Sequence, residues 1–344
     1  MAEMIAIHGD NGFARRWPTI AERLDLRVKR VNAFSNSIWQ DLEGCSVLLW
    51  NVNHEDVNDL EFARAVLLSA EQRGIRVFPD HRTVWHFDDK VAQKYLLEAI
   101  GAPLAPTWVF FDKGEALRFL EAAEYPLVFK LRGGAGSINV QLIRSRRDGV
   151  RVVSSMFGRG LPPFPVGASL LRAASRAKNP ASRAGTVWQR GRRAAAVLMR
   201  KVTGARRERG YVLFQRYVRD NAHDVRVTVV GDRAFTFFRG VRQDDFRASG
   251  SGLLQYPDAQ AVPLDMVDLA FSITRELRAQ SLALDFVVDQ ESNRPVLLEV
   301  SYTFMASAVE GCPGYFTPVH VWVPGSFDPA ELILKDIVLS ANEP

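Results

Sequence analysis

Two acidic residues lie inside apolar runs in the stretch LDFVVDQESNRPVLLEVS, which covers residues 284–301. The runs predict strands at Leu282–Val288 and Pro295–Val300, and the polar residues between them predict a hairpin turn. Asp285 and Glu299 therefore each place a carboxylate within a strand, where burial of a charge is costly unless another group balances it. Any fold that contains this hairpin must therefore place a proton or a positively charged group beside these carboxylates.

The length of the turn predicts the register of the hairpin. The expected antiparallel pairs are Asp289 with Pro295, Val287 with Leu297, and Asp285 with Glu299. Opposed carboxylates lie about 5 Å apart at their Cβ atoms and repel, so either one is protonated or a cation lies between them. Alternation places Ser301 on the face of Glu299, and a set of oxygen atoms suits Mg²⁺. In the alternative interpretation, one acid pairs with an arginine or caps a turn.

The composition indicates a globular protein with a sizeable core. The chain has 344 residues, of which 47% are hydrophobic, so we expect two or three lobes. The first ten residues, MAEMIAIHGD, contain an apolar run too short for a signal peptide, and no apolar stretch reaches the roughly 18 residues of a spanning helix. Cys45 and Cys312 are too few for a disulfide framework. We therefore expect a soluble, cytoplasmic protein.

A basic segment interrupts this mildly acidic chain. Residues 158–210 contain thirteen basic residues and one acid, a net charge of +12, whereas the whole chain carries +5 and the remainder therefore −7. Within it, apolar residues recur at helical spacing between Val187 and Val202 with arginines around them, which predicts a basic amphipathic helix. Such a helix binds an anionic membrane surface or an acidic polymer, or else packs on the protein body as a lid. Nucleic acid is a less favoured partner, because no recognised binding module accompanies the charge.

The first 80 residues alternate apolar runs with helical patterns, which predicts βαβ units and a parallel sheet. Ligands of such sheets bind at the carboxyl ends of the strands. The residues at those ends are His8, Gly9, Asp10 and the run 51–54, and they either line a crevice or are ordinary turn residues.

A lysine precedes a glycine-rich turn in the stretch YPLVFKLRGGAGSINV. Lys130 ends an apolar strand, and Gly133, Gly134 and Gly136 follow it. Backbone N–H groups of such a loop approach phosphate oxygens closely, and a lysine supplies a point charge. A flexible hairpin turn is the alternative.

The order of these motifs resembles the ATP-grasp superfamily. A lysine before a glycine loop, an apolar strand ending in QRYV, then D-V-R, then F-R, and finally the Asp and Glu pair follow one another as in the RimK-like and glutathione-synthetase-like carboxylate–amine ligases. The resemblance is closest over 211–311 and extends from residue 88 onward, apart from the basic segment. It implies an α/β chain with an ATP-grasp fold, two α+β lobes clasping ATP, preceded by a Rossmann-like pre-ATP-grasp domain.

The resemblance also implies domain boundaries and ligands. The expected units are a pre-ATP-grasp domain (1–87), a small lobe (88–218) with the basic insert at about 158–210, and a large C-terminal lobe (219–344). The implied cofactors are ATP and Mg²⁺ (or Mn²⁺). The implied substrates are an amine and a carboxylate carried by a small molecule, peptide or saccharide.

Individual residues match functional positions of the family. Those matching nucleotide-binding positions are Lys90, Lys130, Gly133, Gly134, Gly136, Ser137, Gln215, Arg216, Tyr217, Val218 and Asp224. Those matching catalytic positions are Arg226 and Arg242, at the reaction centre, and Arg247, in the F-R-x-N segment beside the terminal phosphates. Those matching metal ligands are Asp285, Glu299 and Ser301. The chain departs from the family pattern at Arg216, where Glu is usual at the hinge, and at Ser301 and Ser249, where Asn is usual.

The reaction implied by the resemblance is activation of a carboxylate by ATP followed by attack of an amine, which gives an amide, ADP and phosphate. Two alternatives remain open. One is a phosphotransferase of the same fold that acts on a hydroxyl group, and the other is a nucleotide-binding scaffold without turnover.

Overall fold

The computed structural model describes residues 4–54, 56–134, 139–162, 207–242 and 252–339. Its strands are β1 (Met4–His8), β2 (Arg27–Val31), β3 (Val47–Trp50), β4 (Arg76–Phe78), β5 (Thr107–Phe110), β6 (Leu127–Lys130), β7 (Gln141–Ile143), β8 (Val212–Arg216), β9 (His223–Val230), β10 (Arg233–Gly240), β11 (Leu254–Gln255), β12 (Ser281–Asp289), β13 (Arg294–Ser301), β14 (Gly314–Phe316) and β15 (Trp322–Pro324). Its α-helices are α1 (Trp17–Arg23), α2 (Ile38–Asp41), α3 (Val57–Gln72), α4 (His81–Val84), α5 (Lys90–Ala99), α6 (Lys113–Ala122), α7 (Arg146–Met156), α8 (Leu264–Glu276), α9 (Ala306–Glu310) and α10 (Pro329–Leu339). Short 3-10 helices cover Gly12–Arg15 and Ala259–Ala261.

The N-terminal sheet is parallel, with strand order β2-β1-β3-β4. This confirms the parallel sheet that the alternating pattern predicts. Its core is completed by the other end of the chain, because the buried Ala330 and Leu334 of α10 pack in the same cluster as Trp17. The Trp17 indole N–H also donates to the Ala330 carbonyl oxygen over 3.0 Å. The domain boundaries drawn from the sequence remain a prediction.

The small antiparallel sheet has strand order β5-β8-β6-β7, and α6 and α7 pack on it. Helix α7 is not predicted by the sequence pattern. It begins at a capping Ser145, whose hydroxyl accepts from the Asp148 N–H, and it buries Val152, Val153 and Met156. A side chain at Gly149 would come within 2.8 Å of Leu120 on α6, so this glycine permits the close helix contact.

The large sheet has strand order β13-β12-β9-β10-β14-β15, with β11 paired to β10. Helix α8 packs against it through buried residues that include Met266, Val267 and Ala270. The edge formed by β12 and β13 faces β6 and β8 of the small sheet, and the cleft described below lies between the two sheets.

The register of the β12–β13 hairpin confirms one part of the expectation and corrects another. Asp285 pairs with Glu299 as expected, but Val287 pairs with Val296 and Asp289 with Arg294. The predicted pairs on the turn side are therefore wrong by one residue. The cause is a β-bulge after Asp285, which places Leu298 as the extra residue of β13.

Several sequence predictions fall outside the described residues. They are the amphipathic helix between 187 and 202, Gly136, Ser137, Arg247 and Ser249. Within the described ranges, no helix combines the length and apolar character that a bilayer crossing requires.

Candidate active site

A cleft of about 860 Å³ lies between the small and the large sheet. Its polar wall is contributed by β6, β9, β10, β12 and β13, and its apolar wall by valine and leucine side chains of both sheets. The lining residues are Lys90, Val128, Lys130, Gly134, Val140, Gln215, Arg216, Tyr217, Val218, Asn221, His223, Asp224, Arg239, Val241, Asp285, Val287, Leu298 and Glu299.

Two lysines present positive charge to the cleft. Lys130 ends β6 and is only 8% exposed, and within the described residues its ammonium group has no hydrogen bond or ion pair within 4 Å. Burial lowers the pKa of Lys130, while the nearby carboxylates of Glu299 and Asp285 oppose this effect. Lys90 begins α5, and its Nζ donates to the Gly134 carbonyl oxygen over 2.9 Å. Lys130 is therefore available to bind an anion. Lys90 lines the cleft and in addition holds the backbone of Gly134.

The hinge residues close one end of the cleft. The buried Gln215 donates its amide N–H to Thr107 Oγ1 over 3.0 Å and to the Leu298 carbonyl oxygen over 3.4 Å. The Arg216 guanidinium pairs with Asp289 on β12, so this arginine connects the small sheet to the large sheet. Tyr217 and Val218 also line this end of the cleft, beside the apolar Val241, Val287 and Leu298.

A buried network of two arginines and two aspartates forms the floor of the cleft. Arg226 Nε and Nη2 donate to the two oxygens of Asp285 over 2.6 and 2.8 Å. Arg239 donates in the same bidentate way to Asp224 over 2.7 and 2.5 Å. Its Nη2 also lies 2.6 Å from Asp285 Oδ2. The four charges therefore form one continuous chain from Asp224 through Arg239 and Asp285 to Arg226.

This network answers how Asp285 is held in a strand. Burial opposes ionisation of Asp285, which is 2% exposed, but Arg226 and Arg239 together hold its pKa well below the usual range. Burial raises the pKa of Asp224 to about 6, against the opposing effect of Arg239. Pairing with Arg226 and Arg239 balances the charge of Asp285 among the described residues, and its predicted role as a metal ligand remains a prediction.

Of the two opposed carboxylates, that of Glu299 is better suited than that of Asp285 to bind Mg²⁺. The Glu299 carboxylate lines the cleft, and within the described residues it makes no hydrogen bond or ion pair. Ser301 donates its hydroxyl proton to the Thr303 carbonyl oxygen over 2.8 Å, which leaves the oxygen as an acceptor. No cluster of three or more His, Cys, Asp or Glu side chains suited to a metal occurs in the described part of the chain. Mg²⁺ commonly takes one or two carboxylates and completes its shell with phosphate and water.

The glycine-rich turn is fixed by a carboxylate that sequence reasoning missed. Both oxygens of Asp88 accept from the Gly134 N–H over 3.0 Å. Gly134 has a φ of 112°, which a residue with a side chain rarely adopts. Burial raises the pKa of Asp88, and the Lys90 charge opposes the rise. Gly134, in the described part of the turn, is thus held by Asp88 at its N–H and by Lys90 at its carbonyl oxygen.

The structure brings most of the predicted residues to one place. Those lining the cleft are Lys90, Lys130, Gly134, Gln215, Arg216, Tyr217, Val218, Asp224, Asp285 and Glu299. Gly133, Arg226 and Ser301 adjoin residues of this lining. Arg242 follows β10, is exposed, and is not among the lining residues. The individual roles of all these residues remain predictions.

Arg239 and His223 also line the cleft and were missed. Arg239 is directly opposite Asp224 in the β9–β10 pairing, and the His223 ring stacks on Phe238 with centroids 4.6 Å apart. The position of Arg239 opposite Asp224 could have been predicted from the sequence. The turn at Gly231 and Asp232 is a two-residue hairpin loop, and its register alone pairs Asp224 with Arg239.

The carboxyl edge of the parallel sheet adjoins this site. Asn51 Oδ1 accepts from the Phe13 N–H and from Thr303 Oγ1, each over 3.3 Å, and Thr303 follows β13 by two residues. His8 Nδ1 accepts from the Ala33 N–H over 3.0 Å. Of these predicted crevice residues, Asn51 thus contacts the segment that follows the strand carrying Glu299.

Comparison with known proteins places the fold. No family model matches the chain. An α-aminoadipate–LysW ligase, LysX, of Saccharolobus solfataricus is 30% identical over 99 residues, which is 28% of this chain and 33% of that protein. The chain therefore spans about one third of the length of this curated relative.

Solved structures resemble the chain over nearly its whole length. N5-carboxyaminoimidazole ribonucleotide synthetase of Thermotoga maritima has a TM-score of 0.60 at 12% identity and covers 98% of this chain and 76% of its own. Biotin carboxylase of Campylobacter jejuni, in complex with an ATP analogue, has a TM-score of 0.59 at 13% identity, with coverage of 98% and 71%. A RimK-domain ATP-grasp protein of Sphaerobacter thermophilus has a TM-score of 0.56 at 14% identity, with coverage of 97% and 98%. The chain has the ATP-grasp fold, which confirms the predicted fold class.

Proposed function

We propose that the protein is an ATP-dependent carboxylate–amine ligase that binds Mg-ATP in the cleft between its two sheets. The observation that carries the proposal is the convergence of Lys130, Lys90 and Glu299 on one cleft of an ATP-grasp fold. A neighbouring biotin carboxylase domain was solved with MgADP and bicarbonate, and the curated relative is itself a ligase. The carboxylase structure supports a site that accepts a nucleotide together with a carboxylate-like anion, and the curated relative supports ligase activity.

The proposed roles follow from position. The end of the cleft at Tyr217 and Val218 takes the adenine ring, and the Lys130 ammonium meets the phosphate oxygens. When bound, Mg²⁺ supplies positive charge to those oxygens, and Glu299, aided by Ser301, is the group best placed to hold it. Phosphoryl transfer needs alignment and charge neutralisation more than covalent help from the protein. The two lysines and the carboxylate of this cleft provide both.

The chemistry proceeds in two steps. A carboxylate oxygen attacks the γ-phosphorus of ATP, the bond to the bridging oxygen breaks, and ADP leaves. The amine nitrogen then attacks the carbonyl carbon of the acyl phosphate, phosphate leaves, and the nitrogen loses a proton. Guanidinium groups stabilise the tetrahedral oxyanion of the second step. Arg226 and Arg242 are the predicted candidates for this role, and in this structure Arg226 is bonded to Asp285. Arg247 is instead the predicted partner of the terminal phosphates in the first step.

One observation favours a second candidate, a nucleotide-binding protein without turnover. Arg226 and Arg239 place three N–H contacts on the two oxygens of Asp285, so few of its lone pairs remain for a metal. A phosphotransferase acting on a hydroxyl group has no comparable observation in its favour.

An ADP-release screen tests the proposal. Carboxylates, including amino acids, peptides and uronic acids, are crossed with amines in the presence of Mg-ATP. A ligase releases phosphate with one productive pair and only when both members are present. Binding of ATP without consumption in every combination supports the second candidate, and a stable phosphoester identifies a phosphotransferase.

The basic insert supports a further part of the proposal, recruitment of an anionic membrane surface or acidic polymer from the cytoplasm. We expect that replacing residues 164–205 by a short Gly/Ser linker leaves Mg-ATP binding intact and abolishes salt-sensitive association with anionic vesicles. Mg-ATP binding is retained because the two ends of the insert, next to the cleft, are unchanged. Vesicle association is lost because it depends on exposed charges of the insert, whose contacts are screened over about 8 Å at physiological salt. Vesicle co-sedimentation at increasing salt measures the effect.

A second variant separates the loss of charge from the shortening of the chain. It keeps the full length and changes Arg190, Arg192 and Arg193 to glutamine. It should lose part of the vesicle binding. Vesicle binding that survives removal of the insert would place the anionic contact elsewhere and refute the recruiting role.

A further inference from the structure

Glu208, at the C-terminal end of the insert, reaches the glycine-rich turn. Its Oε2 accepts from the Arg132 N–H over 3.2 Å, and its Oε1 accepts from the Gly133 N–H over 3.3 Å. The Tyr211 hydroxyl donates to the same carboxylate and accepts from the Arg132 N–H over 2.6 Å. One carboxylate and one phenol therefore satisfy two consecutive backbone donors that follow Lys130.

Tyr211 is suited to this arrangement. Burial raises its pKa, and the neighbouring Glu208 charge raises it further. The hydroxyl therefore stays protonated at neutral pH and keeps its donor role toward Glu208.

The backbone of Glu208 belongs to a two-stranded stem. Glu208 and Leu161 exchange both backbone hydrogen bonds over 2.9 Å. Arg207 adds to the stem from the other side, because its Nε donates to the Arg159 carbonyl oxygen over 2.9 Å and its Nη2 to that of Gly160 over 2.7 Å. A side chain at Gly160 would come within 2.4 Å of the Glu208 carbonyl oxygen, so the stem is tightly closed.

Glu208 acts from outside the cleft. Gly134 lines the cleft, whereas Gly133, Arg132 and Glu208 do not. Gly133 lies between two carboxylates, since a side chain built there would be 3.3 Å from Asp88 Oδ2 and 3.5 Å from Glu208 Oε1. Glu208 thus does not compete with a ligand of the cleft. It fixes the base of the turn, while Asp88 fixes Gly134.

We infer that Glu208 is a positioning residue for the nucleotide phosphates: it anchors the start of the glycine-rich turn to the stem of the insert. This inference rests on the proposed ATP site and goes beyond it, because it makes one residue the link between the insert and the nucleotide. Loss of the anchor frees the turn to sample other conformations, so phosphate binding must then order it again. The proposed adenine site at the hinge does not depend on this anchor.

The test compares binding of Mg-ADP with binding of adenosine by calorimetry. Glu208→Ala should weaken Mg-ADP binding about tenfold, as expected for loss of charged hydrogen bonds, and leave adenosine binding unchanged. Glu208→Gln, which keeps an acceptor, should recover part of the loss, and Tyr211→Phe should fall between Glu208→Gln and the unaltered protein. Hydrogen exchange at the Arg132 and Gly133 amides should accelerate in Glu208→Ala.

Arg207→Ala is the matched control, because Arg207 makes no bond to the turn and its removal leaves the Glu208–Leu161 backbone bonds that close the stem. It should change Mg-ADP affinity less than twofold. Unchanged Mg-ADP affinity in Glu208→Ala, or an equal loss of adenosine and Mg-ADP affinity, would overturn the anchoring role. Failure of the unaltered protein to bind Mg-ADP would instead refute the proposed function itself.

Discussion

Replacing Arg239 by alanine should lower the free energy of unfolding by about 3–5 kcal/mol, the range expected when one partner of a buried ion pair is removed. Arg239 is 6% exposed and contacts both Asp224 and Asp285, which are 5% and 2% exposed. The variant leaves Asp224 without its bidentate partner and Asp285 with Arg226 alone. Urea denaturation followed by circular dichroism measures the change.

Arg233→Ala is the matched control for this prediction. Arg233 lies on the same strand and contacts both oxygens of Asp336 over 3.1 and 2.9 Å, but both side chains are about 30% exposed. Pairs at this level of exposure contribute about 1 kcal/mol or less. Equal destabilisation by the two variants would mean that the buried network does not hold β9, β10 and β12 together.

Glu299→Gln should reduce ATP turnover about a hundredfold or more while leaving the free energy of unfolding nearly unchanged. The carboxylate makes no hydrogen bond within the described residues, so the fold loses little. The reaction loses the charge that is best placed to hold the metal, and stabilisation of several kcal/mol depends on that metal. Steady-state ADP release and thermal unfolding of the same preparations test both halves of this expectation.

Two variants of the same hairpin sharpen the result. Glu291→Gln changes an exposed acid in its turn and should alter neither quantity. Asp285→Asn should lose stability as well as turnover, because it leaves Arg226 and Arg239 with a neutral partner. Full turnover in Glu299→Gln would remove Glu299 from the metal site and favour Asp285 as the principal ligand.

The hairpin partners of this chain are only partly predictable from local turns. The Gly231–Asp232 turn gives the Asp224–Arg239 pair directly. Asp285 and Glu299 are opposed as predicted, but the turn register behind that prediction is wrong by one residue, and the bulge at Leu298 restores the pair. The bulge at Leu298 was not predictable. A single extra residue in a strand leaves no mark on apolar alternation this short.

Contacts between distant segments could not be read from the sequence. Strand β12 pairs with β9, which places Asp285 opposite Arg226, and only the order of strands in the assembled sheet determines this neighbour. The same holds for Glu208, which was counted as the one acid of a basic insert and whose contacts to Arg132 and Gly133 span about 75 residues. The order of the motifs predicted which residues line the cleft. The ion-pair and hydrogen-bond partners of the charged residues became known only from the structure.

The central claim, carboxylate activation by ATP in this cleft, is tested most directly by isotope transfer. The acid and amine found in the ADP-release screen are supplied with ¹⁸O in both oxygens of the carboxylate and with unlabelled ATP, and the released phosphate is analysed by mass spectrometry. An acyl phosphate leaves one carboxylate oxygen on phosphorus when the amine displaces it, so each phosphate should carry one ¹⁸O atom. Phosphate without the label would mean that water, and not the carboxylate, attacks ATP, and would contradict the proposed ligase.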